Sequence, residues 1–130
     1  MKRKIIISAV FLCLLGSLLF VFRITVQQTH IQASFRPLSE KEWITLSSSS
    51  ETLKRGSVQF YQRCKKCHGA DATGGYKGPN LTDPLWIYGD SYNDIYHSIF
   101  YSKGDMKGYG KKLVSDDLHA LTVYIKSLQK

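Results

Sequence analysis

The five residues Cys64-Lys65-Lys66-Cys67-His68 constrain this chain more than any other feature. Two thiols three positions apart, with an imidazole directly after the second, suit three kinds of chemistry. A structural zinc site needs four ligands, usually completed by a second Cys or His pair at short spacing. No second pair is present; His97 and His119 stand singly, each within a predicted helix. A dithiol redox centre wants its pair at the opening of a helix in a strand–helix unit. Here the pair ends a predicted helix, and no strand flanks it. The third chemistry is covalent haem, for which Cys-x-x-Cys-His is the c-type attachment pattern. Thiols at this spacing reach both vinyl groups of the macrocycle as thioethers, and the next residue then lies under the iron. The residues favour one haem c, attached through Cys64 and Cys67, with His68 as an iron ligand.

A sixth ligand is expected from Met106, the only methionine besides Met1. It sits in Gly104-Asp105-Met106-Lys107-Gly108, a loop with little helical face to pack on. Thioether ligation opposite an imidazole raises the potential of haem iron. The rivals are His97 and His119, each expected to be an ordinary, partly exposed residue of a helix, and His30 in the connector. If none of these binds, the iron is five-coordinate and open to gas sensing or peroxidase-like chemistry.

The rest of the chain divides into three. Lys2, Arg3 and Lys4 precede 18 uncharged residues, Ile5 to Phe22. As a helix that run is about 27 Å long, close to the roughly 30 Å hydrocarbon core. Small residues do not follow it at once, so residues 1–23 read as an uncleaved, single-pass transmembrane anchor with its basic end in the cytoplasm. Residues 24–50, with Pro37 and a four-serine run, read as a polar linker in which little apolar surface supports a helix after Ser39; the alternative is that part of this segment packs on the head with Trp43 as its anchor. Residues 51–130 read as the head. Its first helix carries Gly56, Phe60 and Cys64 on one face. Ser91 and Asp94 open a second helix with Ile95, Tyr96, Ile99 and Phe100 inward, and Gly104 ends it. Ser115 caps the last, whose buried stripe is Leu118, Leu121, Ile125 and Leu128. No strand is convincing, so the head is all-α. About 80 residues in three short helices bury a thin core, and a covalently tied macrocycle would supply the missing interior.

The net charge of +8 is spread evenly, with half of it in residues 1–50, and no nucleic-acid module is recognisable. Clusters for acid–base or nucleophilic catalysis are also lacking.

Taken together, Gly56 with Phe60, the run from Cys64 to Gly69, Gly78-Pro79-Asn80-Leu81, Met106, and Leu121 with Tyr124 to Leu128 resemble a class I mono-haem c-type cytochrome. The run from Gly78 to Gly89 is especially similar to the haem-c subunit of cbb-type haem-copper oxidases. The resemblance implies a small cytochrome c fold around one covalent haem, with first and last helices crossing where Gly56 and Phe60 meet Leu121 and Tyr124. It implies that the Pro79 carbonyl accepts a hydrogen bond from the His68 ring, that Leu81 packs on the haem, and that Trp86 or Tyr88 either bonds a propionate or simply packs. Two departures stand out: Lys107 follows Met106 where the family often has proline, and one such domain is seen where the oxidase subunit usually has two. The implied function is single-electron transfer between respiratory partners, with the haem domain on the outer, periplasmic face of the membrane. Lys65, Lys66, Lys77, Lys103, Lys107, Lys111 and Lys112 flank the motifs and would meet an acidic face on a redox partner. An open-iron sensor or peroxidase, and a subunit whose haem is mainly structural, are the alternatives.

Overall fold

Three serines start helices in the same way. The side-chain oxygens of Ser39, Ser49 and Ser91 accept from the backbone N–H groups of Glu42, Thr52 and Asp94 at 3.4, 3.3 and 3.2 Å, satisfying donors that a helix N-terminus leaves unpaired. The computed structural model of the protein describes residues 12–23 and 33–130. Residues 12–23 are helical (α1). The second unit contains α2 (Glu40–Ser47), α3 (Ser50–Arg63), the single turn α4 (Lys65–His68), α5 (Tyr92–Tyr101) and α6 (Ser115–Ser127). Among the described residues there is no strand beyond one isolated bridge between Lys103 and Met106.

Two boundaries differ from the sequence reading. Helix α5 stops at Tyr101, because Ser102 turns to φ 98° before Gly104 is reached. Val114 is the residue before α6, and Ser115 is its first helical residue rather than its cap. Asp116 and Asp117 still face the positive end of that helix.

Helices α3 and α6 make the most extensive pairing. At its centre Gly56 lies so close to α6 that an added Cβ would overlap the Ala120 carbonyl oxygen and stand 2.6 Å from Tyr124 Cβ. The ring of Phe60 lies 5.5 Å from that of Tyr124, and Leu121 is fully buried beside them. At the edge, Arg55 donates to Asp117 at 2.6 Å, an exposed pair of small energetic weight.

The sequence predicts a polar linker over residues 24–50, and from Phe35 onward the structure differs. Residues 24–32 lie outside the described residues. Leu38 and Trp43 belong to the core, with 8 % and 2 % of their surfaces exposed. Trp43 Nε1 donates to Asn93 Oδ1 at 2.9 Å, and Asn93 Nδ2 donates to the Leu38 carbonyl at 3.0 Å. Trp43 stacks on Tyr92 at 5.3 Å, and Phe35 stacks on Tyr96 at 5.1 Å. Ser39 and Glu42 complete a reciprocal capping box for α2. Helix α2 buries only Trp43, too little for a periodic apolar stripe, and Phe35 and Leu38 ahead of it supply the rest of the packing.

This strap explains why α6 is buried from Leu118 to Val123 without a break rather than along one stripe. Helices α3 and α5 cover most of its surface and α2 covers a further, smaller part. His119 is therefore buried, not partly exposed as expected. Its ring lies 5.3 Å from that of Trp43 and 4.9 Å from that of Tyr96, and its Nε2 is 3.3 Å from the Arg36 carbonyl.

The expected anchor over residues 1–23 is only partly visible, since residues 1–11 lie outside the described residues. Among the described residues no helix is long and apolar enough to cross a membrane. Within α1 the side chains of Leu12, Leu18 and Phe20 are exposed.

Two outcomes are expected. Trp43→Ala removes a buried aromatic anchor and costs about 3–5 kcal/mol, read as a lower urea midpoint; a change within error would mean that the strap is not part of the folding unit. Burial is the main cause holding His119 below its ordinary value of 6.5, because desolvation disfavours its charged form. Below that pH the unfolded chain binds the extra proton more readily, so this contribution to stability is lost as pH falls. His119→Gln should then lose less stability than the parent between pH 7 and 5, measured by urea titrations at each pH.

Candidate haem site

Helix α3 delivers its last turn to Cys64, whose N–H donates to the Phe60 carbonyl at 2.8 Å. The chain then makes the tight turn α4, in which the Cys64 carbonyl accepts from the N–H groups of Cys67 and His68 at 3.1 and 3.0 Å. The two thiols and the imidazole are thereby fixed on one short, hydrogen-bonded arch. Both thiols are free and half-buried. Burial pushes the Cys64 thiol up to about 11, with Arg63 opposing weakly. Redox-active dithiols have a lowered, exposed nucleophile, so this environment argues against that chemistry. Among the described residues, no three His, Cys, Asp or Glu side chains are placed to hold a metal ion together.

His68 is buried, and its Nδ1 lies 2.9 Å from the Pro79 carbonyl. A carbonyl can only accept, so Nδ1 carries a proton, and in the neutral ring the lone pair is left on Nε2. Such a bond sets tautomer and ring orientation and makes the imidazole a better donor to a metal. The loop that brings Pro79 back is closed by three backbone bonds: Gly74 N–H to the His68 carbonyl at 2.9 Å, Gly75 N–H to Gly78 at 3.0 Å, and Leu81 N–H to Ala72 at 2.8 Å. Gly78 is required by space. A Cβ there would stand 2.8 Å from the Cys67 carbonyl oxygen and 2.9 Å from His68 Nδ1. The sequence contains the glycine, but its spacing says nothing about what it touches.

The remaining expected residues fall as follows. Leu81 is half-buried and packs on the main core. Trp86 commits its indole N–H to the Asp83 carbonyl at 2.9 Å, which leaves packing as its other role. Tyr88 is exposed, with the Lys103 ammonium 5.1 Å from its ring centre. His97 is exposed, its ring against Phe35 and Tyr101. His30 lies outside the described residues. Met106 is half-buried on the separate loop after α5, where its N–H donates to the Lys103 carbonyl at 3.0 Å. What links that loop to the thiol arch is Tyr109, whose hydroxyl donates to the Arg63 carbonyl at 3.3 Å. Sequence reasoning passed over Tyr109, because an aromatic residue in a glycine loop carries no spacing signal of its own.

The donor set fits a c-type haem: two adjacent thiols, and an imidazole already oriented with its coordinating nitrogen free. Helical fold and site together define a class I mono-haem c-type cytochrome domain. The family described as cytochrome c oxidase, cbb3-type, subunit III matches residues 51–125, and the chain belongs to it. It is 33% identical over 76 residues to the cbb3-type cytochrome c oxidase subunit CcoP of Cereibacter sphaeroides, covering 56% of this chain and 26% of that protein. It is 35% identical over 78 residues to the subunit FixP of Azorhizobium caulinodans, covering 58% of this chain and 27% of that one. The match thus spans about a quarter of the length of these relatives. The fold is also that of cytochrome cL from Hyphomicrobium denitrificans, with a TM-score of 0.60 at 25% identity over 76% of this chain and 65% of the other. Cytochrome cL from Methylophaga aminisulfidivorans superposes with a TM-score of 0.59 at 20% identity, over 72% and 67% of the two chains.

Proposed function

We propose that this protein is a membrane-anchored electron-transfer cytochrome that would carry one haem c on Cys64 and Cys67, with His68 and Met106 as the residues that would hold its iron. The observation that carries the reading is the hydrogen bond of 2.9 Å between His68 Nδ1 and the Pro79 carbonyl, in the residue directly after a Cys-x-x-Cys pair. It prepares an imidazole for one task, donation from Nε2. Haem c, when bound, supplies a one-electron iron couple. The chain supplies the rest. Cys64 and Cys67 hold the group against loss. The Pro79 carbonyl keeps the His68 ring from turning. Met106 would offer a soft thioether that favours the reduced state. Leu81 would pack on the haem. Acid–base residues are not needed for this work.

The partners are redox proteins with an acidic docking face, as expected of a subunit or carrier serving a respiratory oxidase. Lys65, Lys66, Lys107 and Lys111 are exposed around the motifs and can steer such a partner. Residues 1–23 serve as the single-pass anchor with the haem domain on the outer, periplasmic face. The basic residues Lys2 to Lys4 before an apolar run support this orientation.

The ligand assignment is tested by Met106→Ala in haem-loaded protein. The potential should fall by ~0.1 V or more, within the roughly 0.8 V range over which axial ligands set it. An unchanged potential would remove Met106 from the site. Steering is tested by salt. The bimolecular rate with an acidic partner should fall at least about tenfold as the Debye length contracts from ~30 Å to ~8 Å. A rate indifferent to ionic strength would leave the lysines as mere solvated surface.

A further inference from the structure

The loop bearing Met106 has to be held at a fixed place relative to the arch bearing His68, although the two are far apart in sequence. One side chain joins them. Tyr109 is anchored by its backbone on both sides: its N–H donates to the Ile99 carbonyl of α5 at 2.8 Å, and its carbonyl accepts from Lys112 and Leu113 at 2.8 and 3.0 Å. The next residue repeats the attachment, Gly110 N–H donating to the Phe100 carbonyl at 3.0 Å. From that fixed base the ring packs against the core alongside Cys64, and the hydroxyl reaches the Arg63 carbonyl at 3.3 Å. Arg63 is the last residue of α3, immediately before the first thiol. The Lys112 ammonium lies 5.7 Å from the ring centre on the same turn.

We infer that Tyr109 is the positioning residue that latches the Met106 loop to the thiol arch. This inference rests on the reading of Met106 as an iron ligand. Outward movement of Met106, three residues away, pulls on Tyr109. The latch resists through one hydrogen bond to Arg63 and through packing of the ring on the core, against which Cys64 also packs. Its effect is therefore on local opening of the ligand loop rather than on attachment of the haem.

Added imidazole measures that opening directly, because it occupies the sixth position only when Met106 has left. In the oxidised, haem-loaded full chain, Tyr109→Phe removes the hydroxyl and keeps the ring. Its apparent affinity for imidazole should rise about three- to fivefold, the low end of what one hydrogen bond yields when long and partly exposed. Tyr109→Leu, which also removes the ring, should raise it by tenfold or more. Haem content should remain that of the parent in both. An imidazole affinity of Tyr109→Phe equal to the parent's overturns the latch. So does a rise that appears only under conditions where the whole domain is unfolding by circular dichroism. Met106→Ala is the separate control. It should bind imidazole far more tightly than any other variant, and if it binds no better than the parent, the ligand reading fails and the latch with it.

Discussion

The backbone contact between α3 and α6 at Gly56 is the constraint on which the remaining structure depends. There is no room for a methyl group between Gly56 and the Ala120 carbonyl. Close approach lets Phe60, Leu121 and Tyr124 interlock on either side of it. The far end of α3 is thereby fixed, and Cys64 begins the haem-binding arch there. A looser crossing would move the thiols relative to the loop from Gly69 to Leu81. The Pro79 carbonyl could then not be relied on to meet the His68 ring. Helix packing and ligand orientation are in this sense one arrangement.

Much of this was legible in the sequence, for physical reasons that can be separated. The start of α5 was visible because the Ser91 cap acts locally, over three residues, whereas Ser115 is the first residue of α6 and not its cap. Buried stripes on α5 were visible because its inward face repeats with the helical period. The thiol–imidazole arch was visible because covalent chemistry demands one spacing. Three things were not. Burial of α6 all round depends on a partner segment far away in sequence, so no periodicity records it. The tightness around Gly78 depends on a loop returning to the arch. Tyr109 reaches across 46 residues to Arg63, and nothing within its own neighbourhood marks it.

The His119 cluster illustrates how a polar residue can be part of a core. Its ring is enclosed by Trp43 and Tyr96, and its Nε2 is answered by the Arg36 carbonyl. Buried polar groups with partners cost little, and those without cost much. The same economy applies to Thr122, which is fully buried and donates to the Leu118 carbonyl at 2.8 Å. The thin core expected of so few residues is thus thickened by the segment before α3, with Trp43 as its anchor. Aromatic rings from residues 35–43 add bulk that α3, α5 and α6 do not provide among themselves.

The family match begins at residue 51, whereas Phe35, Leu38 and Trp43 already pack on the core. The family match and the packed domain therefore have different left-hand edges. A recombinant fragment cut at the former would strip the cover from Tyr92, Tyr96 and His119. The uncovered faces of these rings would then form an apolar patch of the kind that drives aggregation. A soluble version for spectroscopy or crystallisation should open upstream of Phe35, so that the aromatic lid travels with the domain it closes.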